Sequence, residues 1–152
     1  MKRLVTLAAV VSVVALGALV VAQQKPNFSG TWVAVSPAEQ AGQEQTITHT
    51  ESALTLRHGS SGGHHETVYR LDGAPAVNSM PSHGDTIVNK YTASWKGEQL
   101  VVDQIAEYPD GRKIDTTLKY SLNAQGQLVT EATFTAAGQE PRKITVVSAK
   151  KK

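Results

Sequence analysis

Cysteine is absent from the 152 residues of the sequence. The protein therefore cannot form disulfides, carry a cysteine-linked lipid anchor or use a thiol nucleophile. Serine catalysis has no local support either, because no G-x-S-x-G nucleophile elbow occurs. Aromatic residues make up only 5% of the chain. This scarcity favours a small amphipathic ligand site over a large lipid site.

Long apolar runs are also absent after residue 22. Lys2 and Arg3 precede an uncharged run from Leu4 to Ala22, with small residues just before Gln23. This pattern predicts a secretory signal peptide at residues 1–22 and a periplasmic or extracellular location. The run is also long enough to remain as an uncleaved membrane anchor. If it is cleaved, no stable membrane insertion is expected.

Charge of one sign is scarce in the expected mature protein. The chain has 15 Lys and Arg against 13 Asp and Glu, and removing Lys2 and Arg3 leaves thirteen of each sign. Three of the positive residues form a basic tail at 150–152, which we expect to be solvated. No nucleic-acid partner is expected, because such binding needs basic residues clustered on a folded face. Residues 23–149 are long enough for one domain with one core.

Alternation of apolar and polar residues is the strongest positive signal. Ile87, Tyr91 and Trp95 share one face of a segment whose other face is polar, which is the pattern of a half-buried strand. Glycine-containing turns such as "YPDGRK" separate these segments and favour hairpins. We predict strands at residues 28–35, 45–50, 53–58, 65–71, 85–95, 99–107, 112–121, 127–136 and 141–148. Residues 37–42 are the one plausible helical turn, and "LDGAPAVNSMPSHGD" is interpreted as a long loop.

This order of hairpins predicts an all-β fold, a single up-and-down antiparallel β-barrel of about 8–9 strands. Closing the sheet into a barrel removes exposed strand edges. Gly30 and Trp32 in "FSGTW" resemble the entry motif of the calycin superfamily, which includes lipocalins, fatty-acid-binding proteins and avidins. In that superfamily the tryptophan closes one end of the barrel beneath an arginine of the last strand. The resemblance assigns the arginine role to Arg142, with Lys143 as the neighbouring alternative.

A closer likeness covers nearly the whole expected mature chain. The segments "NFSGTW", "VYRLDG" and "ASWKGEQLVV" occur in the order seen in a group of small, secreted, lipocalin-like bacterial proteins. The resemblance implies a barrel fold and no established reaction. The segment "GSSGGHH" departs from the pattern of that group, so the likeness gives its histidines no role.

Polar side chains on the predicted inner faces suggest a ligand cavity. A plain apolar core would not include so many of them, because a buried polar group without a partner costs about 1–3 kcal/mol. They either bond one another and trapped water, or line a small, partly polar cavity. The hypothetical ligand-binding residues are Tyr69, Asn89, Tyr91, Trp95, Gln104, Thr116 and Tyr120.

Three histidines surround the turn "GSSGG" at residues 59–63. Adjacent strand residues point to opposite faces, so His64 and His65 cannot easily bind one ion together. His58 and His65 could meet across the hairpin as weak metal ligands. No motif with the usual spacing of a catalytic metal site occurs, so no metal or cofactor is expected. A solvated, glycine-rich turn is the simpler interpretation.

Three functions remain open at this point. The first is a non-catalytic, exported binding protein for an unknown small molecule. The second is a structural or interaction module of the cell envelope with a filled barrel. The third is a metal-dependent enzyme at the histidine-rich rim, which has the least support. The oligomeric state has no signal in the sequence.

Overall fold

The computed structural model describes residues 25–60, 63–82 and 85–152, and the expected signal peptide lies outside them. In this part of the chain, ten strands form one antiparallel sheet. They are β1 (Gly30–Ser36), β2 (Glu44–His49), β3 (Ala53–Ser60), β4 (Gly63–Arg70), β5 (Ala76–Ser82), β6 (Asp85–Lys96), β7 (Gln99–Glu107), β8 (Lys113–Leu122), β9 (Leu128–Ala136) and β10 (Arg142–Lys150). Within these ranges, no helix has the length and apolar character needed to cross a bilayer.

The sheet order confirms the predicted up-and-down barrel. Sequential strands are neighbours throughout, and β1 pairs with β10, so the order runs β4-β3-β2-β1-β10-β9-β8-β7-β6-β5. The two ends of this order, β4 and β5, follow each other in the chain and lie side by side. The barrel is therefore closed everywhere except along the seam between β4 and β5.

Side chains bridge that seam. The Tyr91 hydroxyl donates to the Val68 carbonyl at 3.1 Å and accepts from the Arg70 backbone N–H at 3.1 Å. The Asn78 amide also donates to the Val68 carbonyl, at 2.8 Å. These bonds satisfy backbone groups of β4 that a neighbouring strand would otherwise pair.

The described part of the chain has one more strand than the upper limit of the prediction. β5 lies within the segment interpreted as a loop, "LDGAPAVNSMPSHGD". Proline, serine and asparagine hide the strand signal there, and Pro81 has no N–H to donate. Proline is tolerated because β5 pairs only with β6, so one of its edges faces the seam. Residues 37–42 form consecutive i to i+3 turns rather than a helix.

Alternation places the core inside the barrel. The buried cluster draws on β1 to β4, β6 to β9 and the segment before β1, with Phe28, Leu54, Leu100 and Leu128 fully buried. The opposite positions of the same strands are more often exposed, as the predicted two-residue period requires.

The residue that closes the barrel over Trp32 is a lysine of the last strand. Lys150 lies opposite Trp32 in the β1–β10 pairing, and its Nζ is 5.6 Å from the Trp32 ring. Arg142 lies at the other end of β10, opposite Phe134, so the role expected for it was wrong, as was the alternative Lys143. Lys150 also belongs to β10 rather than to a free tail, and Lys151 donates to the Thr31 carbonyl and pairs with Glu44 at 2.7 Å.

Gly30 lets the Lys150 side chain approach the backbone closely. Its φ is +140°, and an added Cβ would lie 2.5 Å from the Lys150 Cε. The lysine side chain therefore runs across the bare glycine backbone to reach the Trp32 ring. The Trp32 indole N–H donates to the Phe28 carbonyl at 2.8 Å. This bond holds the segment before β1 against the Trp32 side chain.

Candidate functional site

One end of the barrel is filled by aromatic rings. Phe28 stacks on His49 and Trp95 at centroid distances of 5.5 and 5.8 Å, and His49 stacks on Trp95 at 5.7 Å. Tyr120 lies beneath this stack, 6.3 Å from Phe28. These contacts make the Trp32 end of the barrel a solid plug.

His49 is a structural part of this plug. Its Nδ1 accepts a hydrogen bond from the Phe28 backbone N–H at 3.2 Å, so the neutral ring carries its proton on Nε2. Burial lowers the pKa of His49, which favours the neutral form that this bond requires. The Ser29 hydroxyl pairs with both backbone groups of His49, at 3.0 and 3.2 Å.

The opposite half of the barrel holds a cavity of about 470 Å³. Its apolar lining comes from Ala34, Leu56, Met80, Leu118 and Val146, and its uncharged polar lining from Thr67, Tyr69, Tyr120, Thr130 and Ser148. Around the mouth lie Gln40, Gln43, Glu44, Gln45, His58, Gly59 and His65. The volume falls in the range of small-molecule sites, about 300–1,000 Å³.

A smaller cavity of about 70 Å³ adjoins the first beside the β4–β5 seam. Both are lined by His65, Thr67, Tyr69 and Met80, and the smaller one adds Asn78, Asn89 and Gln104 among others. The Tyr69 hydroxyl donates to Gln104 Oε1 at 3.1 Å, across the barrel interior. Asn89 and Gln104 therefore form a polar wall behind Tyr69.

The phenols of Tyr69 and Tyr120 are held in their neutral form. Burial, with a smaller contribution from Tyr91, raises the pKa of Tyr69 to about 12. Burial, with a smaller contribution from Tyr69, raises the pKa of Tyr120 well above its usual value. The Tyr69 ring meets the Tyr91 ring edge-on at 5.0 Å. At physiological pH these hydroxyls are hydrogen-bonding groups without charge.

Thr130 is the most informative polar residue of the cavity. Its Oγ1 is buried and has no hydrogen-bond partner among the described residues. Thr130 lies opposite Tyr120 on one side and Val146 on the other, in the middle of the cavity wall. A buried hydroxyl without a partner is unfavourable. The atom is shielded even from water in this rotamer, so a further hydrogen-bonding group would stabilise it only after a rotation about χ1 turns it towards the cavity.

The residues in the hypothetical ligand set occupy different places. Tyr69 and Tyr120 line the main cavity, and Asn89 and Gln104 line the smaller one. The Tyr91 hydroxyl is hydrogen-bonded to β4 across the seam, and Thr116 is buried on the inner face of β8. Trp95 belongs to the aromatic plug rather than to the cavity wall, because it lies too near the closed end of β6.

Sequence reasoning overlooked Met80, Ser148 and the structural role of His49. Met80 lay in the segment interpreted as a loop. Ser148 is two residues after Val146 on the last strand and therefore lies on the same face, so the two-residue period could have identified it. His49 continues the inner stripe of Ile47 on β2, but nothing in the sequence shows that the Phe28 ring reaches it.

The predicted cross-hairpin pair of histidines is present. His58 lies directly opposite His65 in the β3–β4 pairing, and both border the mouth of the main cavity. Burial and the neighbouring His65 lower the pKa of His58. Among the described residues, no group of three or more histidine, aspartate or glutamate side chains is arranged to hold a metal ion. The side chain of His64, and all of His83, a further histidine of the sequence, lie outside the described part of the structure.

A second recess, of about 560 Å³, lies on the outside of the barrel. It crosses β6, β7 and β8 beside the start of β5, where Lys90, Asp103 and Asp115 point outwards. Tyr91, Gln104 and Thr116 also border it. Its walls carry exposed charges of both signs, so the cavity inside the barrel is the better candidate for a ligand site.

Comparison with known proteins shows the fold. No protein-family model and no curated protein matches the sequence. One similar solved structure is a mutant of the REP1-NXSQ fatty acid transporter, with a TM-score of 0.56, 13% sequence identity, and coverage of 80% of this chain and 96% of that chain. Another is secretory abundant heat soluble protein 4 from Ramazzottius varieornatus, with a TM-score of 0.48, 16% identity, and coverage of 82% and 94%.

Proposed function

We propose that the protein is a non-catalytic binding protein that holds a small amphipathic molecule in the barrel cavity. The observation that carries this proposal is the cavity of about 470 Å³, whose wall combines apolar and uncharged polar side chains. The aromatic plug closes one end, so the ligand enters from the end bordered by His58 and His65. A solved structure with the same fold is described as a fatty acid transporter, which agrees with a carrier role.

The proposal includes export. Residues 1–22 have the composition of a secretory signal peptide, so we place the binding protein in the periplasm or outside the cell. A pulse-chase comparison of precursor and mature masses tests this part separately. A mature form beginning at Gln23 supports export by cleavage, whereas an uncut chain in the membrane fraction supports the anchor alternative.

A pair of variants on one strand tests the cavity. Val146 lines it, whereas Val147 is the next residue of β10 and faces the other side of the sheet. Val146→Phe fills the cavity, and Val147→Phe makes the same chemical change outside it. Far-ultraviolet circular dichroism first shows that both variants fold, because overpacking costs about 1–3 kcal/mol.

The binding assay uses Nile red, a neutral fluorescent probe, with the protein at low micromolar concentration. We expect saturable probe binding by the parent protein and by Val147→Phe, and at least tenfold weaker binding by Val146→Phe. Equal probe binding by the two folded variants would contradict the cavity as the site. A filled-barrel interaction module would show no saturable binding in any of the three proteins.

A further inference from the structure

The cavity contains hydrogen-bonding groups but no fixed positive charge. Among the described residues, no lysine or arginine lines the main or the smaller cavity. The bases in the lining are His58 and His65, both at the mouth. The acids are Glu44, which pairs with Lys151 at 2.7 Å, and Glu66, which pairs with Arg57 at 3.1 Å.

An ionised ligand group would therefore be poorly compensated inside. Burying a carboxylate or a phosphate without a cation is strongly unfavourable, because the protein interior replaces water with weakly polar surroundings. Neutral phenols and hydroxyls do not supply the missing charge. The lining thus disfavours an acidic head group in the inner part of the cavity.

The interior does suit an uncharged polar group. Thr130 Oγ1 is buried in the cavity wall without a partner among the described residues, and a hydroxyl can both donate and accept a hydrogen bond. Tyr120 lies directly opposite Thr130 on the neighbouring strand, and its hydroxyl-bearing ring faces the same cavity. Because Oγ1 is shielded in the present rotamer, a rotation about χ1 must first turn it towards the cavity. A ligand hydroxyl or carbonyl beside Thr130 would then satisfy it.

The apolar part of the ligand has its own surface. Leu56, Leu118 and Val146 contribute side chains to the same wall. At about 30 Å³ per water molecule in the liquid, the cavity has the volume of roughly sixteen waters. This space is large enough for a medium-length apolar chain or a small ring system.

We infer that the ligand is a neutral amphiphile, such as a medium-chain alcohol or an uncharged ester, whose polar group bonds to Thr130. The inference rests on the proposed binding function and specifies its ligand class. It assigns Thr130 as the residue that receives the neutral polar group, whereas the absence of a lysine or arginine from the described lining disfavours an anionic one.

A matched pair of ligands tests the inference. Decanol and decanoate have the same chain length and differ in the charge of the polar end. Displacement of Nile red is measured at pH 8, where decanoate is ionised. We expect decanol to displace the probe at a concentration at least tenfold lower than decanoate.

Two threonine variants locate the selectivity. Thr130→Val removes the orphan hydroxyl, and Thr133→Val makes the same change on the outer face of β9. We expect Thr130→Val to weaken decanol binding three- to tenfold with little effect on decanoate. Thr133→Val should leave both unchanged.

Three results would overturn the inference. They are stronger displacement by decanoate, displacement by neither ligand, and equal decanol affinity in the parent and in Thr130→Val. The first and third leave the binding function intact. In the second, saturable Nile red binding that Val146→Phe abolishes would still support the binding function, so the two failures are distinguishable.

Discussion

Replacing Thr130 with valine should stabilise the ligand-free protein. The Thr130 hydroxyl is buried without a partner among the described residues, and leaving such a group unpaired costs about 1–3 kcal/mol. Valine has nearly the same shape and suits a strand, so the substitution opens no cavity. We therefore expect the free energy of unfolding to rise by about 1–2 kcal/mol, or the Tm by roughly 2–8 °C.

Urea denaturation of delipidated protein measures this change. Thr133→Val on the same strand serves as the control. Thr133 is half-buried on the outer face of β9 and has no unpartnered buried hydroxyl, so this variant should stay within about 0.5 kcal/mol of the parent. Unchanged or reduced stability of Thr130→Val would refute the reasoning. It would mean that ordered water already satisfies the hydroxyl, so Thr130 would no longer mark a vacant ligand contact.

Three further predictions concern the seam, the plug and pH. Tyr91→Phe removes both hydrogen bonds of the Tyr91 hydroxyl at the seam and leaves the Arg70 N–H without its partner. Urea denaturation should therefore show that the free energy of unfolding falls by about 1–2 kcal/mol. A decrease below about 0.5 kcal/mol would contradict the assignment of Tyr91 to the seam. Gly30→Ala should lower the stability more than Gly138→Ala in the same assay. Both glycines have positive φ, but a Cβ at Gly30 would also meet the Lys150 side chain, whereas a Cβ at Gly138 would meet nothing within 4 Å. Equal losses would contradict the close approach of Lys150 to Gly30. Burial lowers the pKa of His49, so the unfolded chain binds the proton more readily than the folded protein does. The stability should therefore fall as the pH drops below the ordinary pKa of histidine. Thermal melts between pH 8 and pH 5 should show a weaker dependence of Tm on pH in His49→Gln than in the parent, and an unchanged dependence would be evidence against this role.

Strand alternation carried the fold prediction because its physical basis is local. A two-residue period fixes which face each side chain occupies, and hairpin turns fix the order of neighbours. The missed strand β5 shows the limit of this signal. Its prolines and small polar residues are acceptable only because it pairs on one side, which is a property of the finished barrel.

The height of a residue along the barrel was less predictable than its face. Trp95 was placed correctly on the inner face, but only the three-dimensional register shows that it belongs to the aromatic plug. The same problem affected the prediction of the cation that lies over Trp32. Arg142 and Lys150 are both on β10 and are an even number of residues apart, so the two-residue period does not distinguish them. Their eight-residue separation spans most of the strand, and pairing with β1 selects Lys150.

Native mass spectrometry of protein isolated without delipidation tests the central claim most directly. The account predicts a one-to-one complex with a small neutral molecule that is retained by Val147→Phe and lost from Val146→Phe. A folded parent protein that carries no ligand, binds no Nile red and responds to no member of a neutral amphiphile panel would contradict it.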